Sequence, residues 1–328
     1  MTRAANLWRD RFEDPRPLIV AHRGDSAHAP ENTLEAACLA FEAGAEAWEF
    51  DVRLSRDGQA VVIHDAYLKR TTDAARRFKN DTRSANGRRV DSLDLADLLE
   101  LDAGSWFIEA EGGPRSSLFF GTREHLSDEI VAACRSGSVR LPTLRQALRL
   151  TVESGRLANV ELKIDAEEGN ALVGAVLAEV AESSAEERVL ISSFDHEAVA
   201  RVARSAPRIA TGVLSGQPLF DPGRYVREWI GADAYHSSID ALGRNPTTGK
   251  IGRSGSSRND DRLEPFASLR RSAVPLLVFT VDDFTSNGLA RRLFSLGASG
   301  VFSDFPGETI VNALSPEIEY LEDESLPE

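Results

Sequence analysis

Polar side chains with the makings of a reaction centre sit at the ends of four short apolar runs. Leu18 to Ala21 stops at His22-Arg23-Gly24, and Ala60 to Ile63 stops at His64-Asp65. Glu46 to Leu54 alternates so that Glu49 and Asp51 share one side of a strand, and Glu161 and Lys163 share a side in the same way further along. Burying such a set in a core costs several kcal/mol per unpaired charge, so the group is expected to surround a polar ligand. Glu49, Asp51 and Glu161 offer oxygen donors only, which suits Mg²⁺ or Ca²⁺ rather than a zinc site rich in thiolate or imidazole. Imidazole titrates near neutral pH, so His22 and His64 can act as an acid–base pair. The competing reading is a structural ion-pair network.

Positioning these groups takes strands that end at one face. After His22 a helix over 33–43 is predicted, capped by Asn32 or Thr33 and carrying Leu34, Ala37, Cys38 and Phe41 inward. Arg56-Asp57-Gly58 reads as a tight turn, so 50–63 forms a hairpin-like excursion. From residue 141 strands and helices alternate: helices at 143–153, 167–182, 195–204, 219–229, 261–272, 285–295 and 306–314, and strands at 158–164, 188–192, 209–214, 232–236, 275–281 and 299–302. With the first two strands this makes eight, and a (β/α)8 TIM barrel spanning 1–314 is predicted, with its active face at the strands' C-terminal ends. A segment at about 66–140 is inserted before the third barrel strand and should lie over that face, its 108–139 part an elaborated loop. Residues 243–260, with Arg244, Lys250, Arg253 and Arg258, read as a mobile loop that could cover an anionic substrate. Leu7, Trp8 and Phe12 should pack an N-terminal arm on the barrel.

The chain has 328 residues, 42% of them apolar, and a net charge of −14. Residues 315–328 hold six acids and no base, leaving −8 for the body. That tail is expected to be solvated, and nothing basic suggests nucleic acid or a membrane surface as partner. Cys38 and Cys134 are far apart, so a disulfide framework is not expected. The charged N-terminal stretch lacks the apolar segment of a signal peptide, no run approaches membrane-spanning length, and a cytoplasmic protein is the expectation.

HRG (22–24), PENT (30–33), Glu49-x-Asp51 and His64-Asp65, followed by DAGSWF (102–107), LPTL (141–144), VELK (160–163), SSF (192–194), FTVDD (279–283) and GVFSDFP (300–306), resemble the glycerophosphodiester phosphodiesterase family in order and spacing. The resemblance implies metal-dependent hydrolysis of a glycerophosphodiester to glycerol 3-phosphate and an alcohol. The substrate's neighbouring hydroxyl would attack first, and water would open the cyclic phosphate. It places His22 and His64 as catalytic residues, Arg23 and Lys163 on the phosphate, and Glu49, Asp51 and Glu161 on the cation. Glu31 and Asn32, in PENT, stand behind these groups and are candidates for the substrate pocket, with Ser26 beside them. Trp106, Phe194, His236 and Phe279 are candidates for the pocket wall, and many relatives carry Trp where this chain has Phe279. Asp65 is placed either to orient His64 or to cap the next turn, and Ser303-Asp304 to fix loops. The alternatives are a lysophospholipase D-type enzyme, for which no apolar loop over the face speaks, and a barrel that binds without catalysis.

Overall fold

The computed structural model describes residues 5–79, 88–109, 126–165, 169–242, 264–282 and 288–314. The strands are β1 (Leu18–His22), β2 (Ala47–Leu54), β3 (Ala60–Val62), β4 (Leu157–Leu162), β5 (Val189–Ser193), β6 (Ala210–Ser215), β7 (Ala234–Ser238), β8 (Leu276–Phe279) and β9 (Gly300–Ser303). Eight of them run parallel in the order β1-β9-β8-β7-β6-β5-β4-β2, and pairing of β1 with β2 closes the ring. The exception is β3. It folds back antiparallel on the far end of β2, with Val52 opposite Val62, after β1 has run out, as the Arg56-Asp57-Gly58 turn requires.

Each barrel strand is a run of buried residues because it is covered on both faces. Its outward side chains meet helices such as Leu34–Glu42, Leu144–Glu153, Gly169–Glu182 and His196–Ser205. Thr33 caps the first of these through its hydroxyl, and Thr143 begins the second with a capping box. The buried stripe of Leu34–Glu42 is Ala36, Ala37 and Ala40, which turns Cys38 outward to an exposed position. The expected packing role of Cys38 is therefore corrected. Cys134 is buried.

Inside the barrel, Leu18, Val20, Ala47, Leu190, Ala234 and Leu277 fill the lower part. The helix Leu7–Glu13 closes the bottom with Trp8, which is wholly buried and donates its indole N–H to the carbonyls of Ala158 and Arg188. Burying an indole contributes about 4 kcal/mol. The Asn6 amide, also buried, reaches the carbonyls of Glu186, Val189 and Arg208. The segment between β3 and β4 builds a cluster of its own around Leu68, Leu98, Leu101, Ile130 and Cys134, against Ala29 and Ala36. The loop 243–260, the tail 315–328, His125 and much of the 108–139 stretch lie outside the described residues. Among the described residues no helix is long and apolar enough to cross a membrane.

Candidate active site

At the C-terminal end of the barrel, β2 and β4 bring Asp51 and Glu161 into register as neighbours, and Glu49 lies one inward position below Asp51. The three carboxylates are buried, each offering an oxygen within 4.8 Å of the others'. The Glu49 Oε1 atom is buried with no hydrogen-bond partner. Burial first, and then the neighbouring Asp51 charge, push Glu49 up to about 8. Burial acts on Asp51 too but is outweighed by Lys163 and Arg23, so Asp51 stays ionised. Lys163 Nζ bonds Glu161 and lies 3.1 Å from Asp51. A cluster that cannot hold three full charges, with an unused buried oxygen, is the donor set a hard divalent cation fits.

The chain leaves β1 by a left-handed turn. Arg23 sits at φ 58° and Gly24 at φ 84°, a region that costs a side-chain-bearing residue about 1–2 kcal/mol. The turn aims the Arg23 N–H at Glu49 Oε2, 3.0 Å away, and its guanidinium at Glu31 (2.8 Å) and Asp51 (3.3 Å). Gly24 is required for a second reason: a Cβ there would lie 2.6 Å from the Ala36 carbonyl carbon. Gly24→Ala is expected to cost about 3 kcal/mol through strain and overpacking, seen as a lower midpoint in urea; an unchanged midpoint would show that the turn can relax. Asn32 repeats the device at φ 59°. Its side chain donates to Asp51 Oδ2 (2.8 Å) and accepts the Asp51 backbone N–H (3.1 Å).

Both histidines are held at Nδ1 by an aspartate. His22 donates to Asp304 Oδ1 at 2.7 Å, and its Nε2 lies 3.9 Å from Glu49. Burial opposes its cationic form, but Asp304 and then Glu49 prevail and raise it to about 9. Asp304 is fixed by the Ser26 hydroxyl (2.7 Å) and by its own N–H to Asp282 (2.8 Å). His64 donates to Asp65 at 2.6 Å, and Asp65 also accepts Arg70. Asp65 thus orients His64 rather than capping a turn.

His22, Arg23, Glu49, His64, Glu161 and Lys163 form the polar wall of one cavity of about 210 Å³; Phe194, Leu214, Phe279, Thr280 and Phe302 form most of the opposite wall. Phe194 and Phe279 meet edge to face at 6.0 Å, and the Lys163 ammonium stands 5.9 Å from the Phe194 ring centre. Glu31 and Asn32 hold Arg23 and Asp51 from behind. Trp106 does not reach the cavity: its indole donates to the Ala103 carbonyl and packs against Phe107, because its segment belongs to the cluster between β3 and β4. His236 is not at the rim. It points inward but lies deeper than Phe279, wholly buried, 5.1 Å from Phe302, and neutral because burial pushes it down to about 3. Gly212 makes room for it, since a Cβ there would sit 2.6 Å from its Nε2. His28 is half-buried on Asp25 (2.8 Å), and His196 opens its helix bonded to Tyr225 and the Leu214 carbonyl.

Sequence reasoning left out Asn159, whose side chain lines the cavity from the middle of β4, and Arg70. It gave Asp304 a loop-fixing role when Asp304 is the partner of His22. The signal available for Asp304 was an acid at the tip of the last strand, in the position that His64-Asp65 and Glu49-x-Asp51 occupy on theirs.

The sequence pattern of the glycerophosphoryl diester phosphodiesterase family matches residues 22–308. A glycerophosphodiester phosphodiesterase from Caldanaerobacter subterraneus subsp. tengcongensis is 28% identical over 299 residues, covering 90% of this chain and 97% of that one. One from Bacillus altitudinis is 27% identical over 293 residues, 89% and 96% of the two chains. The structure of an Oleispira antarctica phosphodiesterase in complex with the product sn-glycerol-3-phosphate superposes with a TM-score of 0.68 at 26% identity, covering 91% of this chain and 97% of that one.

Proposed function

The chain belongs to the glycerophosphoryl diester phosphodiesterase family, and from that premise we propose that it cleaves glycerophosphodiesters to glycerol 3-phosphate and an alcohol with His22 and His64 as its acid–base pair. The observation that carries this reading is one cavity lined by two aspartate-backed imidazoles and by carboxylates of a buried acid triad.

Glu49, Asp51 and Glu161 would hold Mg²⁺ or Ca²⁺. Such a cation supplies Lewis-acid neutralisation of the non-bridging oxygens. Arg23 and Lys163, already drawn to the cavity by the acids, add positive charge beside the phosphate. The Asp65 charge is shared with Arg70, whereas the Asp304 carboxylate accepts the uncharged Ser26 hydroxyl beside His22. His22, raised against the effect of its burial to about 9 by Asp304, is assigned to protonate the leaving oxygen. His64 takes the proton of the substrate's own neighbouring hydroxyl as it attacks phosphorus. When water opens the resulting cyclic phosphate, the two exchange roles, and each ends as it began. The Phe194–Phe279 wall receives the uncharged carbon skeleton.

The test is incubation of the purified protein with glycerophosphocholine and Mg²⁺ or Ca²⁺, reading glycerol 3-phosphate through a coupled dehydrogenase. Steady release is expected, and none with either cation would end this reading. One observation favours a second substrate class: Phe194 is half exposed at the mouth, and Phe220, on the loop after β6, is fully exposed. Lysophosphatidylcholine is therefore assayed beside it by choline release, since its cleavage leaves lysophosphatidate rather than glycerol 3-phosphate.

A further inference from the structure

We propose that Arg70 is a positioning residue that locks the catalytic His64 and the phosphate-facing Arg23 into one frame. The proposal rests on the assignment of those two residues above.

Arg70 lies five residues beyond Asp65, in the turns that follow β3. Its guanidinium serves two carboxylates from two different segments. Nε and Nη2 bond the two oxygens of Asp65 at 2.6 and 3.0 Å, and Nη1 and Nη2 bond the two oxygens of Glu31 at 2.7 Å each. Each of those carboxylates carries a site residue on the same atoms. Asp65 Oδ1 accepts His64 Nδ1 at 2.6 Å, and Glu31 Oε1 accepts Arg23 Nη1 at 2.8 Å. The continuous path is His64–Asp65–Arg70–Glu31–Arg23. It joins the tip of β3 to the tip of β1, strands that flank β2 and do not pair with each other.

Three features set this apart from an ordinary surface ion pair. Glu31 is buried, its side chain 1% exposed, and Arg70 is 29% exposed, so the pairing is shielded from the screening that makes exposed bridges weak. Two carboxylates gripped at once need a planar fork, which lysine lacks. The local backbone is secured without the guanidinium. Leu68 is wholly buried and its N–H bonds the Arg88 carbonyl at 2.9 Å, and the Thr72 hydroxyl bonds the Leu68 carbonyl at 2.5 Å. Loss of the fork should therefore move side chains rather than unfold the turn. Freed from Arg70, Glu31 retains Arg23 and competes with substrate phosphate for it, while Asp65 and His64 gain a rotation that the fork forbids. Misplacement of a reacting group by about 1 Å is enough for losses on the order of 100-fold.

The experiment is steady-state kinetics of Arg70→Ala and Arg70→Lys on glycerophosphocholine, with thermal melting and Ca²⁺ titration on the same samples. Arg70→Ala is expected to melt close to wild type and to bind Ca²⁺ with unchanged affinity, because Arg70 touches none of the three acids. Its kcat/KM should fall about 30-fold, with guanidinium ion restoring much of the loss in a saturable manner that NaCl and urea do not reproduce. Arg70→Lys, holding one carboxylate and not both, should fall between the two. Turnover of Arg70→Ala within threefold of wild type, or a loss that follows the folded fraction and ignores guanidinium, overturns the proposal. If Arg70→Ala does not fold, Arg70→Lys decides, and wild-type kinetics there overturn it equally. A wild-type protein that releases no glycerol 3-phosphate refutes instead the catalytic reading beneath it.

Discussion

Turnover of glycerophosphocholine falls by about three orders of magnitude or more when divalent ions are stripped with a chelator, and Mg²⁺ or Ca²⁺ restores it. The size follows from the charge the site must neutralise: a bound cation lowers a phosphoryl-transfer barrier by several kcal/mol, and about 4 kcal/mol is a thousandfold. The acids cannot substitute for it, because they add negative charge around an anionic substrate. Glu49→Gln separates binding from folding. It keeps the shape and removes one donor charge, so Ca²⁺ affinity by calorimetry should drop about tenfold or more while the melting temperature holds or rises, since Glu49 is a buried carboxylate pushed up to about 8. Activity that ignores the chelator would remove the metal from the reaction.

His22→Ala and His64→Ala each lower kcat by about 100-fold or more, the range of a positioned proton donor or acceptor, with KM changed much less. Each side chain stands at a strand tip facing the cavity and is held at Nδ1 by its aspartate, so a melting curve on each variant separates a loss of chemistry from a loss of folded protein. The double variant should lose far less than the product of the single losses, because the two imidazoles act in one proton circuit and either deletion breaks it. Wild-type turnover in either single variant would strip that residue of its role.

The barrel was legible from sequence because its signal is local. Runs such as Val189–Ser193 and Ala210–Ser215 are made of apolar and small residues, buried throughout, and separated by helices with clear stripes. Glu49 with Asp51, and Glu161 with Lys163, were readable for the same reason, since alternation fixes the face. What was not legible depends on closure of the ring. The bond from His22 to Asp304 spans 282 residues, and only pairing of β1 with β9 brings the two together. Arg70 looks like any arginine in a turn until Glu31 arrives from the other flank of β2. Trp106 and His236 were misplaced because an aromatic or a histidine near a landmark carries no sign of depth. Trp106 went with its neighbours in the insertion, and His236 lies one layer too far down its strand. Cys38 failed on a narrower point, the rotation of a short alanine-faced helix.

Trp8 and Asn6 make the barrel a blind-ended vessel. With the bottom stoppered among the described residues, the reaction proposed above would have the departing alcohol and the incoming water use the same mouth, at the strands' C-terminal ends.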